Sequence, residues 1–248
     1  MHILHGLDDG ARTLAESVAM ARAAVGDGIR TIAVTPHVRA DYPTRASQME
    51  SGVAELREAL AAEGITLDVR TGGEIALDQL VLLPADELVR FGLASSRNYL
   101  LLEFPYYGWP LALPSQVFDL HARGITAVLA HPERNVEIQA APERMRQIVE
   151  QGALVQLTAA SIDGRLGRAP RKTALRLLEL GLAHFIASDA HAPDVRSAGM
   201  SAAAKALGDN DLARWLTQDV PAAIVADVAI PERPRPRTRR SLRRLFGL

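Results

Sequence analysis

Ala127-Val128-Leu129-Ala130-His131-Pro132-Glu133-Arg134 is an apolar run that passes directly into an imidazole, a proline, a carboxylate and a guanidinium. Four consecutive apolar residues suit a strand buried on both faces, and polar side chains placed just after it lie at its C-terminal edge. The arrangement recurs along the chain. His37 follows Thr31–Thr35, Glu74 follows Leu67–Thr71, Glu103 closes Tyr99–Glu103, and Asp189 and His191 follow His184–Ser188. With Ile3-Leu4 and Leu154–Leu157, these runs predict seven strands.

The intervening segments Thr13–Gly26, Ala46–Ala62, Pro114–Arg123, Ala141–Gln151 and Lys172–Leu182 repeat apolar residues at helical spacing, as in Leu175, Leu178 and Leu182. Pro114 and Pro142 suit helix starts, and Gly124, Gly152 and Gly181 suit helix ends. The alternation predicts an α/β fold. Because chemistry-bearing residues follow at least five of the runs, it further predicts a distorted TIM-like β/α barrel of about seven strands, whose C-terminal strand ends converge on one mouth. An open doubly wound sheet gathers fewer strand ends, and its G-x-G-x-x-G fingerprint is absent.

A chain of 248 residues with 48% hydrophobic content supplies one substantial core, assigned to a single domain over 1–230. The chain has no cysteine, which excludes disulfides, thiolate metal sites and a cysteine nucleophile. Residues 1–230 carry 21 basic against 28 acidic side chains, a balance that argues against a nucleic-acid surface. The remaining segment, 231–248, holds seven arginines against Glu232 and alternates proline with arginine before ending in Leu242-Arg-Arg-Leu245-Phe246-Gly-Leu248. It reads as a flexible tail, either a solubilising segment or a basic turn that meets an anionic membrane face. With no long uncharged apolar stretch and no leader segment, the sequence predicts a cytoplasmic protein, with peripheral contact at the inner membrane face through the tail.

Three strings join imidazole to carboxylate: His2-Ile-Leu-His5-Gly-Leu-Asp8-Asp9-Gly10, His131-Pro132-Glu133-Arg134 and Ser188-Asp189-Ala190-His191. Imidazole nitrogen with carboxylate oxygen suits zinc, manganese or iron, and a carboxylate can bridge two ions. Glu74 and Glu103 are the bridging candidates. Glu103 ends an apolar run, where an unpaired charge is costly, so a cation or an arginine is expected beside it. Asp8-Asp9-Gly10 reads either as a turn with a capping aspartate or as a metal donor at Asp9, and Thr13 with Glu16 offers a capping box. Gly72-Gly73 gives the backbone freedom to present Glu74. Arg134 and Arg196 match phosphate geometry, although with 26 arginines a solvated surface role stands beside that reading. Phe104, Tyr106, Tyr107 and Trp109 either line a wall beside the mouth or pack their loop, and His121 and His184 read as structural.

The strings together resemble the polymerase-and-histidinol-phosphatase (PHP) superfamily, in the branch of capsule- and exopolysaccharide-associated tyrosine phosphatases. The opening resembles the end of its D-x-H-x-H motif followed by D-D-G, and T-P-H (Thr35–His37), G-x-E (Gly72–Glu74), L-E-F (Leu102–Phe104), H-P-E-R (His131–Arg134) and S-D-A-H (Ser188–His191) follow in order. The resemblance covers about residues 1–220. It implies a distorted barrel holding up to three divalent ions, generally Mn2+, and hydrolysis of phosphotyrosine on a bacterial tyrosine kinase of polysaccharide export by metal-activated water. Carried over, His2, Glu74 and Asp189 would hold a first ion; Glu74, Glu103 and His131 a second; Asp9, His37 and His191 a third. Arg134 and Arg196 would contact phosphate. The aspartate and first histidine of the opening motif are missing before His2, which implies either a start assigned too late or a damaged first site. His5, where the branch usually has proline, is a candidate proton donor to the leaving group. The rival readings are a PHP phosphatase for a small metabolite such as histidinol phosphate, and a scaffold protein that has lost its activity.

Overall fold

A computed structural model describes residues 1–193 and 198–234. Nine strands form among these residues: β1 (Thr31–Ala33), β2 (His37–Arg39), β3 (Tyr42–Pro43), β4 (Asp68–Arg70), β5 (Glu74–Ala76), β6 (Tyr99–Glu103), β7 (Thr126–Ala130), β8 (Leu154–Thr158) and β9 (Phe185–Ala187). Seven of them make one sheet in the order β3-β2-β5-β6-β7-β8-β9, while β1 and β4 pair separately. Every pairing is parallel except the β2–β3 hairpin. The result is a mixed α/β fold with a mostly parallel sheet.

Six of the seven predicted runs become strands; Ile3-Leu4 instead enters a turn. The two runs before His37 and Glu74 end as β1 and β4, and those residues then open two further strands, β2 and β5, that lie outside the predicted runs. Pro36 has no amide hydrogen to give a ladder, and on the neighbouring run a Cβ at Gly73 would lie 2.6 Å from the Phe91 ring. Single bonds span the break, from Val34 N to Arg70 O (2.9 Å) and from Glu74 N to Pro36 O (3.0 Å).

The ladders do not close into a ring among the described residues, so the predicted barrel is met only as an open sheet. At the place where closure would occur lies Met1-His2. Met1 N donates to Ala33 O (3.0 Å), Thr35 N donates to Met1 O (3.0 Å), and His2 N donates to Ala190 O (2.9 Å), so this segment touches both β1 and the chain after β9. It makes these single bonds and then turns over Leu4–Gly10, too soon to form a ladder.

Helices carry their apolar stripe inward. On Ala46–Ala62 the buried residues Met49, Val53, Leu56 and Leu60 recur every three or four positions, the spacing of one helix face. The predicted cap is present on Leu14–Gly26, where Thr13 Oγ1 accepts from Glu16 N at 3.2 Å. The helix predicted over Ala141–Gln151 is split into Pro142–Arg144 and Met145–Glu150, because the first turn winds more tightly. No helix among the described residues is long and apolar enough to cross a membrane. The start of the predicted tail is tied to the body: Trp215 Nε1 donates to Pro231 O (2.9 Å) and Arg233 Nη2 to Leu178 O (2.6 Å). Residues 235–248 lie outside the described residues.

Candidate metal centre

The parallel register brings the polar strand ends together. β2 pairs with β5 so that His37 lies opposite Glu74, and Glu103 and Ala130 end β6 and β7 side by side, which sets His131 one residue beyond. His131 and Asp189 both adopt left-handed backbone (φ 39° and 47°), uncommon for residues with a Cβ and a form of strain that clusters at functional sites. The turn carrying His131 is anchored from below: the buried Glu133 carboxylate accepts from Thr158 N (2.9 Å) and Ser161 Oγ (2.7 Å).

Glu74 stands at the centre. Its Oε2 lies 3.0 Å from His2 Nε2 and its Oε1 lies 2.8 Å from His131 Nε2. His2 Nε2 also faces Asp189 Oδ1 at 3.2 Å. On the other flank, Asp9 Oδ1 lies 3.5 Å from His37 Nε2 and 3.3 Å from His191 Nε2, and the His191 and His2 rings stack at 3.8 Å. His37 Nδ1 approaches Glu103 Oε2 at 3.7 Å.

Mutual proximity sets the protonation. Burial opposes charge on His2, yet hydrogen bonds to Asp189, Asp8 and Glu74 outweigh it and raise the imidazole well above its ordinary value. Burial likewise opposes charge on Glu74, but His131 and His2 hold its carboxyl well below the usual range. The hydrogen bond with His191 lowers Asp9, and the bond to His2 lowers Asp189 against its burial. Burial and the charge of His2 push His37 down to about 4. Burial and the neighbouring Glu74 raise Glu103, partly offset by Arg39.

Among the described residues, three groups of side chains place ligand atoms within 4.8 Å of one another: His2, Asp9, His37 and His191; His2, Glu74 and Asp189; and His37, Glu74 and Glu103. Shared members make them one continuous cluster. Buried carboxylates crowded in this way need compensating positive charge. The nitrogen and oxygen donor set, without sulfur, suits borderline or hard divalent cations, and the buried His37 Nδ1 and His131 Nδ1 have no hydrogen-bond partner. The residues therefore fit divalent ions. One detail departs from the expected grouping: His37 accompanies Glu74 and Glu103, whereas His131 reaches the opposite oxygen of Glu74.

The structure thus brings together His2, Asp9, His37, Glu74, Glu103, His131, Asp189 and His191. It does not bring His5, whose Nε2 turns to Glu55 Oε2 (3.9 Å) on the Ala46–Ala62 helix. Arg134 Nη1 donates to Asp189 Oδ2 (2.9 Å), at the rim of the cluster. Arg196 lies outside the described residues. Of the four aromatics, Tyr106 alone stacks on a cluster residue, with its ring 5.8 Å from His131 and the Arg134 guanidinium 4.7 Å from its centroid. Phe104 is buried and meets Trp109 edge-on, so these two pack the loop, while Tyr107 is exposed.

Three residues escaped the sequence reading. Arg39 Nη1 donates to Glu103 Oε1 (2.8 Å), the arginine expected beside that carboxylate; it sits two residues from His37 on one strand and therefore on the same face. Tyr42 stacks on His37 at 5.9 Å beneath Arg39, and nothing in its local pattern marks it. Asp8 bonds His2 Nδ1 at 2.7 Å; its adjacency to Asp9 was the available signal.

The profile of the family described as "Capsular polysaccharide synthesis, CpsB/CapC" matches residues 1–225. The chain is 36% identical to tyrosine-protein phosphatase YwqE of Bacillus subtilis, over 99% of this chain and 97% of that protein. It is 30% identical to tyrosine-protein phosphatase CpsB of Streptococcus pneumoniae, over 92% and 98%. A crystal structure from work on these two proteins, described as unique metal-dependent tyrosine phosphatases, matches with a TM-score of 0.85 and 33% identity, over 96% of this chain and 98% of that one.

Proposed function

The chain belongs to the CpsB/CapC family of capsular polysaccharide synthesis, and on that premise we propose that it is a metal-dependent protein-tyrosine phosphatase acting on a phosphotyrosine-bearing protein of that process. The observation that carries this reading is Glu74, whose two oxygens meet His2 on one side and His131 on the other while Arg134 stands at the rim.

In this reading His2, Glu74 and Asp189 would hold one ion, and Glu74 and Glu103 with His131 or His37 a second. Asp9, His37 and His191 would hold a third. Mn2+ is the metal we infer, with Zn2+ or Fe as the alternatives the donors admit. Bound divalent ions supply two things here, a lowered pKa for an attacking water and neutralisation of charge on the phosphoryl oxygens. Arg134, kept in place by Asp189, would clamp the non-bridging oxygens through its remaining donors. Water adds to phosphorus, the bond from phosphorus to the phenolic oxygen breaks, and the phenolate leaves in line with the attack. Tyr106 offers the substrate ring an aromatic face next to that guanidinium. We further read the fold as a barrel left open at Met1-His2, formed by a single domain over 1–230. The partner class we infer is a tyrosine kinase of polysaccharide export, reached in the cytoplasm at an anionic inner membrane face through the basic tail.

Phosphate release from a phosphotyrosine peptide tests the activity. Turnover should require Mn2+ and cease with a chelator. Preferential hydrolysis of histidinol phosphate would assign a small-metabolite phosphatase instead, and metal uptake without any turnover would assign a binding protein. Deleting residues 235–248 tests the tail, since unchanged co-sedimentation with anionic vesicles would refute its membrane role.

A further inference from the structure

Asp8 is a buried carboxylate that caps no helix, since Thr13 fills that role for Leu14–Gly26. A charge with no exposed atoms is costly unless it is fully bonded. Its Oδ2 accepts from His2 Nδ1 (2.7 Å) and from His37 N (3.0 Å), and its Oδ1 accepts from Gly10 N (2.9 Å). The turn that allows this is tight: a Cβ at Gly10 would lie 1.9 Å from His2 O, so only glycine lets the chain fold back to place Asp8 under the imidazole.

We propose that Asp8 is a positioning residue that fixes the His2 tautomer and ties the first metal-ligand group to the second. The proposal rests on the reading of this cluster as a divalent-cation site. With Nδ1–H donating to Asp8, Nε2 is the nitrogen turned to the space shared with Glu74 and Asp189, and it would present its lone pair there to a cation that displaces its proton. Carboxylate partners of this kind orient a ligand histidine and raise its basicity as a donor. The same oxygen holds the backbone of His37, a member of both other groups, so one atom registers the N-terminal turn against β2.

The test is Asp8→Asn. An amide offers acceptor geometry on one side only, so at least one of the three N–H groups meets another N–H. Mn2+ affinity, measured by equilibrium dialysis, should fall about 10- to 100-fold, and phosphatase activity should return at correspondingly higher Mn2+. Thr13→Ala is the control: it removes a helix cap on the same segment, lowers the metal-free melting temperature, and should leave Mn2+ affinity unchanged. Mn2+ binding by Asp8→Asn within about threefold of the unaltered chain would overturn the proposal, and so would an equal loss in Thr13→Ala. An unaltered chain that takes up no divalent ion overturns it together with the metal centre. Uptake without phosphate release would sink the phosphatase reading alone and leave Asp8 to be judged on affinity.

Discussion

His131 and His184 both lie largely out of solvent at the ends of strands in one sheet, the first just after β7 and the second just before β9, and their chemistry is opposite. Burial opposes charge on His131, but Glu74 at 2.8 Å, with Asp189 nearby, wins and raises it above the ordinary value. Among the described residues no carboxylate offsets burial at His184. Its Nδ1 accepts a backbone hydrogen bond from Val155 N (3.0 Å), and burial, with the Arg233 charge nearby, pushes it down to about 4. One end of the sheet thus concentrates charge that demands a cation, while the other removes it. Burial alone does not mark a functional histidine; the partners facing the ring do.

The largest effect should come from emptying the charged end. Glu74→Ala removes the residue facing both His2 and His131, and kcat/KM toward a phosphotyrosine peptide should drop at least ~1000-fold, with loss of bound Mn2+ measured by elemental analysis. Retained metal would show that the remaining ligands suffice and that Glu74 is not the hub. Arg134→Lys should lower kcat/KM about 100-fold with metal content unchanged, because an ammonium cannot reproduce the fork that engages Asp189 and an oxyanion together.

Tyr106 sharpens the comparison further, since among the described residues no aromatic lies against His184 as Tyr106 does against His131. Tyr106→Ala should raise KM for phosphotyrosine peptides about 10-fold while Tyr106→Phe changes it little, and neither should affect a small aliphatic phosphate ester. Equal losses on both substrate types would mean that Tyr106 only supports His131 and Arg134.

Much of this was legible in the sequence because strand ends announce themselves. A buried apolar run that ends in Glu103, His131 or Asp189 must place those groups at the sheet edge, whatever the topology. Closure of the ring was not legible, since whether Met1-His2 forms a ladder depends on a turn set by long-range bonds to Ala33, Thr35 and Ala190 rather than on the apolar character of Ile3-Leu4. The strands β2 and β5, which open at His37 and Glu74, fall outside the predicted runs for a related reason: their pairing is a long-range contact that a local window does not contain. Arg39 and Asp8 act through partners 64 and 6 residues away, and only the fold makes those pairs. The place of His5 was not legible from its neighbours in sequence, because its ring faces Glu55 on a helix some fifty residues on rather than the cluster.

The smallest effect belongs to the quiet end and reads out as stability. His184 is held near 4 in the folded chain against 6.5 for an ordinary imidazole, so the fold favours its neutral form. Below pH 6.5 the unfolded chain takes up a proton that the folded chain refuses until about pH 4, and stability is therefore lost as the pH falls through that window. At pH 5 this term amounts to about 2 kcal/mol, enough to lower the melting temperature by several degrees in a chain of this size. His184→Asn keeps an acceptor for Val155 N and cannot titrate, so its stability deficit at pH 7 should shrink or reverse by pH 5 in denaturant melts at both values. A deficit that stays constant between the two would mean that His184 takes up its proton over the same pH range folded and unfolded, and the contrast with His131 would then rest on geometry alone.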